Sequence, residues 1–382
     1  MKRKICLAFA LILGLSLCLF PAKMVYSYAG FETDTNYKSA CLIDKNSGDV
    51  LFNGNAEVKV PIASVTKLMT ILLTLEQIES GNLSLQDKIT ISENASGMGG
   101  SQIFLDANLS YEVGELLKSV IVASANDSSV ALAEHIAGSE NNFVRLMNER
   151  ASELGLTNTN YANCTGLPSN DGYSCALDQA KVLSKVLKYD AYHKYSSIWL
   201  EDFAHPDGRT TQMTNTNKLS KFYSGCIGGK TGSTNQAKYC LAVGAKRGET
   251  ELIAVVLGVE TSKDRFKLAT NLLNYGFDNF TSTTIFNETD LENVSVRIKG
   301  KNRSVKLKAE KTYSVTHKKG EQLNYSINFN LPNSLTKVKE NQVVGNAEVV
   351  LDGVVVETID LKACETVNEL TVWDYVKEIT NK

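Results

Sequence analysis

Ser64 and Lys67 stand three residues apart at the start of an apolar run with helical spacing, Leu68, Met69, Leu72, Leu73, Leu75 and Ile78, which ends before Gly81. Three positions is less than one helical turn, so both side chains leave the same face. A hydroxyl in the first turn lies near the positive end of the helix dipole, which lowers the cost of an alkoxide. The neighbouring amine can accept the hydroxyl proton only if its own pKa is depressed, and desolvation plus a second cation would do that. The chemistry open to such a pair is nucleophilic acyl transfer.

Ser-x-x-Lys alone occurs by chance on many exposed helix faces. Two later stretches, Ser124-Ala125-Asn126 and Lys230-Thr231-Gly232, add a second hydroxyl, an amide and a second cation in a fixed order. The elements that must position them can be read from periodicity. Residues 39–52 predict two strands around a turn at Gly48, and the breadth of the apolar stripe after Ser64 predicts a helix buried on most sides. Residues 111–122 predict a helix, which the cap-favouring stretch 123–127 interrupts before a second helix at 128–137. Helical patterns follow at 142–154 and 177–187. From Cys226 the glycines of Ile227-Gly228-Gly229-Lys230-Thr231-Gly232 suit a strand edge that another backbone can approach. Residues 239–245 and 251–259 predict a hairpin, and 263–280 a helix. Strands at both ends with helices between predict an α+β fold, a mixed sheet flanked by a helical cluster.

The remaining chain divides by composition. Met1-Lys2-Arg3-Lys4 and the apolar run to Phe20 predict a signal peptide over 1–29, cleaved after Ala29, and hence export to the cell wall or the outer face of the cytoplasmic membrane. Residues 30–281 form the expected catalytic domain and 282–365 a small all-β domain of short alternating segments. Residues 366–382 space Val367, Leu370, Trp373, Val376 and Ile379 three apart, a pattern that suits an amphipathic helix on a membrane surface and equally one packed on the β domain. With 40 basic and 42 acidic residues interspersed, the net charge of −2 gives no sign of a nucleic-acid surface. There is no Cys-x-x-Cys and no Cys/His cluster, so neither metal nor cofactor is expected. The cysteines beyond the leader, Cys41, Cys164, Cys175, Cys226, Cys240 and Cys364, read as buried free thiols where they fall in apolar strands.

The stretches 61–70, 123–134 and 229–234, with Met147-Asn148, Leu154-Gly155-Leu156 and Gly166-Leu167-Pro168, resemble the D-alanyl-D-alanine carboxypeptidases, the low-molecular-mass penicillin-binding proteins. The likeness is strong over about residues 35 to 280, and the β domain and tail resemble that family's appended stalk and anchor. It implies a transpeptidase-like fold and attack by Ser64 on the carbonyl between the two terminal D-alanines of a peptidoglycan stem peptide. Lys67 would be the base, Ser124 a proton relay, and Asn126 a holder of the substrate amide that also orients Lys67. Lys230 and Thr231 would meet the substrate carboxylate, Gly232 would let the peptide lie along the strand, and Ser64 and Ser233 N–H groups would form an oxyanion hole. Arg265 is a further candidate for the carboxylate. β-Lactam antibiotics would acylate Ser64. The segment Asp171-Gly172-Tyr173-Ser174-Cys175-Ala176 departs from the family, which often has His there.

A class A β-lactamase would share two of the motifs, but no Glu-x-x-Leu-Asn pattern follows Asn126 and the β domain would have no purpose. An endopeptidase on cross-linked stem peptides differs only in leaving group. A wall-binding protein that captures peptides or penicillin without turnover would not need the full set of acylating groups.

Overall fold

The computed structural model describes residues 30–287, 291, 293–299 and 303–369. The expected leader at 1–29 and all but the first residues of the expected tail, 370–382, lie outside the described residues.

Strand Ser39–Asp44 is buried at every position, because its two faces meet different layers. Alternation sorts it: Cys41 and Ile43 join one core with Leu68 and Leu72, while Ala40 and Leu42 join a second with Leu268, Leu272 and Leu273. The sheet has five strands in the order Val50–Gly54, Ser39–Asp44, Thr250–Val259, Lys238–Arg247 and Cys226–Thr234. Every pairing is antiparallel, where the sequence led us to expect a mixed sheet. The reason lies in the connections: three hairpin links join neighbouring strands, and the final strand, Thr250–Val259, returns beside Ser39–Asp44 in the opposite direction.

The helical cluster enters between the second and third of these strands in chain order. At its centre is Lys67–Glu79, with every residue from Lys67 to Leu75 buried. Ser64 itself precedes this α-helix, on a 3-10 turn, Ala63–Thr66. Helix Val113–Val122 is followed almost at once by Asn126–Ala137, so Asn126 opens the second helix rather than standing in a loop before it. Gly138, in the left-handed region at φ 76°, ends that helix with its N–H on Glu134 O. Helix Ser262–Asn279 covers the other face of the sheet.

Beyond this layer, strand Phe280–Phe286 pairs with Tyr313–Lys318. A second five-stranded sheet follows, in the order Ser295–Arg297, Ser304–Ala309, Val354–Ala363, Val343–Leu351, Tyr325–Asn330. It has a core of its own that includes Phe286, Leu307, Val349, Ile359 and Leu361. Ser282 Oγ donates to Asp44 Oδ2 at 2.8 Å, and Ser47 and Thr316 hydroxyls lie 2.7 Å apart, so hydrogen bonds join the two parts. Cys41, Cys164, Cys175 and Cys240 are buried, Cys226 half-buried and Cys364 exposed, all as free thiols. Among the described residues no helix is long and apolar enough to cross a membrane.

Candidate active site

Within the buried stretch 62–75 only Ser64 reaches the surface. It is held there by a pinch. Ala63 adopts φ 49°, a left-handed conformation that costs a non-glycine residue on the order of 1 kcal/mol or more. A Cβ at Gly166 would come within 1.9 Å of Ala63 O, and a Cβ at Gly232 within 2.7 Å of Ile62 O and 2.9 Å of Ser64 N. Two glycines from distant parts of the chain thus clamp the turn that carries the hydroxyl. Gly232 is therefore required first by the turn beneath the strand, whatever lies along the strand's open edge.

Lys67 is fully buried, and its Nζ donates to Ser64 Oγ at 3.1 Å, Asn126 Oδ1 at 2.6 Å and Thr165 O at 2.6 Å. Burial pulls its pKa down to about 7, against smaller upward pulls from Cys164 and Asp127. Asn126 is fixed in turn: its Nδ2 donates to Gly99 O at 2.6 Å and its N–H to Ser101 O at 2.7 Å. Asp127 holds that loop by accepting from Ile103 N at 3.1 Å and Leu105 N at 3.2 Å.

Ser124 sits at the elbow between two helices at φ 63°. Ser119 O accepts from both Ala123 N and Ala125 N, and this over-determines the bend. Buried Lys230, reaching in from strand Cys226–Thr234, donates to Ser124 Oγ at 2.7 Å and to Thr231 O at 3.2 Å. Its pKa is pushed well down by burial first and then by the charges of Lys67 and Arg265. Two ammonium groups in one dry cleft repel, so the pair resists holding two protons.

The structure thus gathers Ser64, Lys67 and Asn126 into one bonded group, with Ser124 and Lys230 as a coupled pair beside it. Thr231 is buried and Ser233 exposed at alternate positions of the strand. Arg265 is nearly buried, but its guanidinium gives Nη1 to Gly232 O at 3.1 Å and Cys240 O at 3.2 Å, and Nη2 to Ser262 Oγ at 3.2 Å. Those bonds brace the strand that carries Lys230, and among the described residues none reaches Ser64 or Lys67.

Sequence reasoning missed Thr165, whose carbonyl is one of the closest partners of Lys67. Asn163 Oδ1 accepts from Thr165 N at 3.2 Å and Gly166 N at 2.6 Å, and Thr70 Oγ1 donates to Cys164 O at 2.7 Å. The signal was present as Asn163 two residues before Thr165 and three before a glycine, a side chain able to fold its own backbone into a turn. Also missed was the hairpin of Leu200–Ala204 and Thr210–Thr214, whose Arg209 and Thr211 hold Phe104 O at 2.9 Å and Ile103 O at 3.2 Å. Its polar strands hide their alternation.

A hydroxyl, a buried amine of depressed pKa, and a second hydroxyl–amine pair suit acyl transfer through Ser64. Comparison with known proteins agrees. The peptidase S11 family model, described as D-alanyl-D-alanine carboxypeptidase, matches residues 28–261, and the model of the penicillin-binding protein 5 C-terminal domain matches 280–369. The D-alanyl-D-alanine carboxypeptidase DacF of Bacillus subtilis is 40% identical over 319 residues, covering 82% of each chain. DacC of Escherichia coli, of the same description, is 34% identical over 88% of this chain and 86% of its own. The solved structure of penicillin-binding protein 5 from Haemophilus influenzae matches with a TM-score of 0.72 at 32% identity, over 89% of this chain and all of its own. This chain belongs to the D-alanyl-D-alanine carboxypeptidase family of low-molecular-mass penicillin-binding proteins, and it is a serine-type peptidase with the fold of that family.

Proposed function

We propose that Ser64, Lys67, Ser124 and Lys230 carry out that activity on peptidoglycan stem peptides as follows. The terminal carboxylate of the D-Ala-D-Ala end binds beside Lys230 and Thr231. A counter-ion there lets Lys230 hold its proton, and the resulting cation keeps Lys67 neutral, since the two repel. Neutral Lys67 takes the proton of Ser64, whose oxygen attacks the carbonyl between the two D-alanines. Backbone N–H groups of Ser64 and Ser233 receive the developing oxyanion, a contribution of about 3 kcal/mol per donor. Ser124 relays the proton now held by Lys67 to the nitrogen of the departing D-alanine as the peptide C–N bond breaks, which restores neutral Lys67 and leaves an acyl-enzyme that water hydrolyses. Asn126 orients Lys67 and offers its remaining Nδ2 proton to the donor amide, and Arg265 keeps the strand straight.

The observation that carries this assignment is the fully buried Lys67 amine 3.1 Å from the one exposed hydroxyl of the helix start. β-Lactams mimic the D-Ala-D-Ala end and would stop at the acyl stage. A wall substrate fits an exported protein, and of the two readings of the tail the burial of Val367 against Val338 and Ala363 favours packing of its start on the β domain. To test the roles, purified protein is incubated with a stem peptide ending in D-Ala-D-Ala and free D-alanine is quantified. The intact enzyme releases it, whereas Ser64→Ala loses release by at least about a thousandfold. Equal release from both proteins would refute Ser64 as nucleophile.

A further inference from the structure

Beside the Ser64 turn lies a shallow groove open to solvent. Ala63 and Gly166, which flank the nucleophile, line it together with Thr234 and Gln236, which follow Lys230 along the chain. If the leaving D-alanine lies toward Lys230, the acyl donor must leave Ser64 on the other side, along Thr234 and into this groove. The walls mix apolar side chains with uncharged polar ones, Asn160, Asn163 and Tyr173 among the latter. One charge reaches the wall from outside. The Lys59 ammonium lies 4.9 Å from the centroid of the Tyr173 ring, and among the described residues no ion pair engages it. Lys59 is itself exposed, as are Glu57, two residues before it, and Asp171, two residues before Tyr173, so it is available to a ligand.

The backbone around this cation is built rather than loose. Val60 N and O both bond to Ser174, and Asn160 and Tyr173 exchange a second pair of bonds, fixing Lys59 and Tyr173 relative to the groove. The Tyr173 ring therefore carries a cation at the border of a cleft whose walls bear no charge.

We propose that this groove holds the donor half of the stem peptide and that Lys59 selects donors whose residue next to the D-alanine pair bears a side-chain carboxylate. The proposal rests on the catalytic reading above and extends it to the substrate class. Lys59 acts in specificity and touches no reacting atom.

The test uses three acetylated donors ending in D-Ala-D-Ala that differ at one residue: diaminopimelate, its side-chain amide, and lysine. For the intact protein, kcat/KM for the diaminopimelate donor should exceed that for the other two by about three- to tenfold, through KM, and the margin should shrink with added salt. Lys59→Met should erase the margin, Lys59→Arg should keep it, and acylation of Ser64 by a β-lactam should be the same in all three proteins. Equal kcat/KM for the three donors, or a margin that survives Lys59→Met, would overturn the selectivity while leaving the D-alanine release intact. No release from any donor would overturn the reaction and the selectivity together.

Discussion

At the scale of single residues, the site works by making charge expensive. Lys67 makes three hydrogen bonds and still has its pKa pulled down to about 7, because burial outweighs those acceptors. A depressed amine is a base only above its pKa, so activity should be lost as pH falls through about 7 and retained above it. Replacing Lys67 by Ala should lower acylation of Ser64 by about a thousandfold or more while the fold survives, as judged by circular dichroism. Asn126→Ala should cost about ten- to a hundredfold in kcat, since Lys67 then loses a 2.6 Å partner and the loop at Gly99 loses its tie. An unchanged kcat would show that Asn126 is not what aims the amine.

At the scale of elements, the placing of the Ser64 hydroxyl depends on two glycines and one loop. Gly232→Ala would drive a Cβ into Ile62 O and Ser64 N, so the strand or the 3-10 turn must shift. The expected result is a loss of about a hundredfold in kcat with a smaller change in Tm, because a displacement of about 1 Å at the reacting group is enough. Thr70→Val removes the donor to Cys164 O and should destabilise by about 1 to 2 kcal/mol, measured by urea unfolding, with slower acylation because Thr165 O is released. These elements were unequally legible in the sequence. The helix after Ser64, the Ser124–Asn126 elbow and the Lys230 strand announced themselves through apolar period and glycines. The 3-10 turn did not, because it is imposed by Gly166 and Gly232 pressing from elsewhere in the chain. Nor did the service of Arg265 to the Gly232 and Cys240 carbonyls, since a long side chain does not declare its partner.

At the scale of the molecule, one antiparallel sheet ties both ends of this layer together, and helix Ala176–Val186 packs on both that sheet and the helix that follows Ser64. The two-stranded ladder of Phe280–Phe286 and Tyr313–Lys318 is joined near strand Ser39–Asp44, where Asp44 accepts from Asn46 N, Ser47 N and Ser282 Oγ. Burial raises the Asp44 pKa against those donors. Asp44→Ala should destabilise by about 1 to 3 kcal/mol in thermal or urea unfolding, because three donors lose their acceptor, yet leave the Ser64 acylation rate nearly unchanged. A large fall in that rate at constant fold would mean that the junction speaks to the site. Division of labour of this kind also explains why the β-rich region was readable only as alternating segments: its sequence carries a core and no chemistry.

The most direct measurement is the second-order rate constant for acylation of Ser64 by benzylpenicillin, followed by mass spectrometry from about pH 5 to pH 9. Because this constant reports the free enzyme, it should rise about tenfold per unit at low pH and level off above about 7, with the adduct on Ser64 alone. A rate constant that is flat across the range, or an adduct on another residue, would contradict a buried neutral Lys67 as the base.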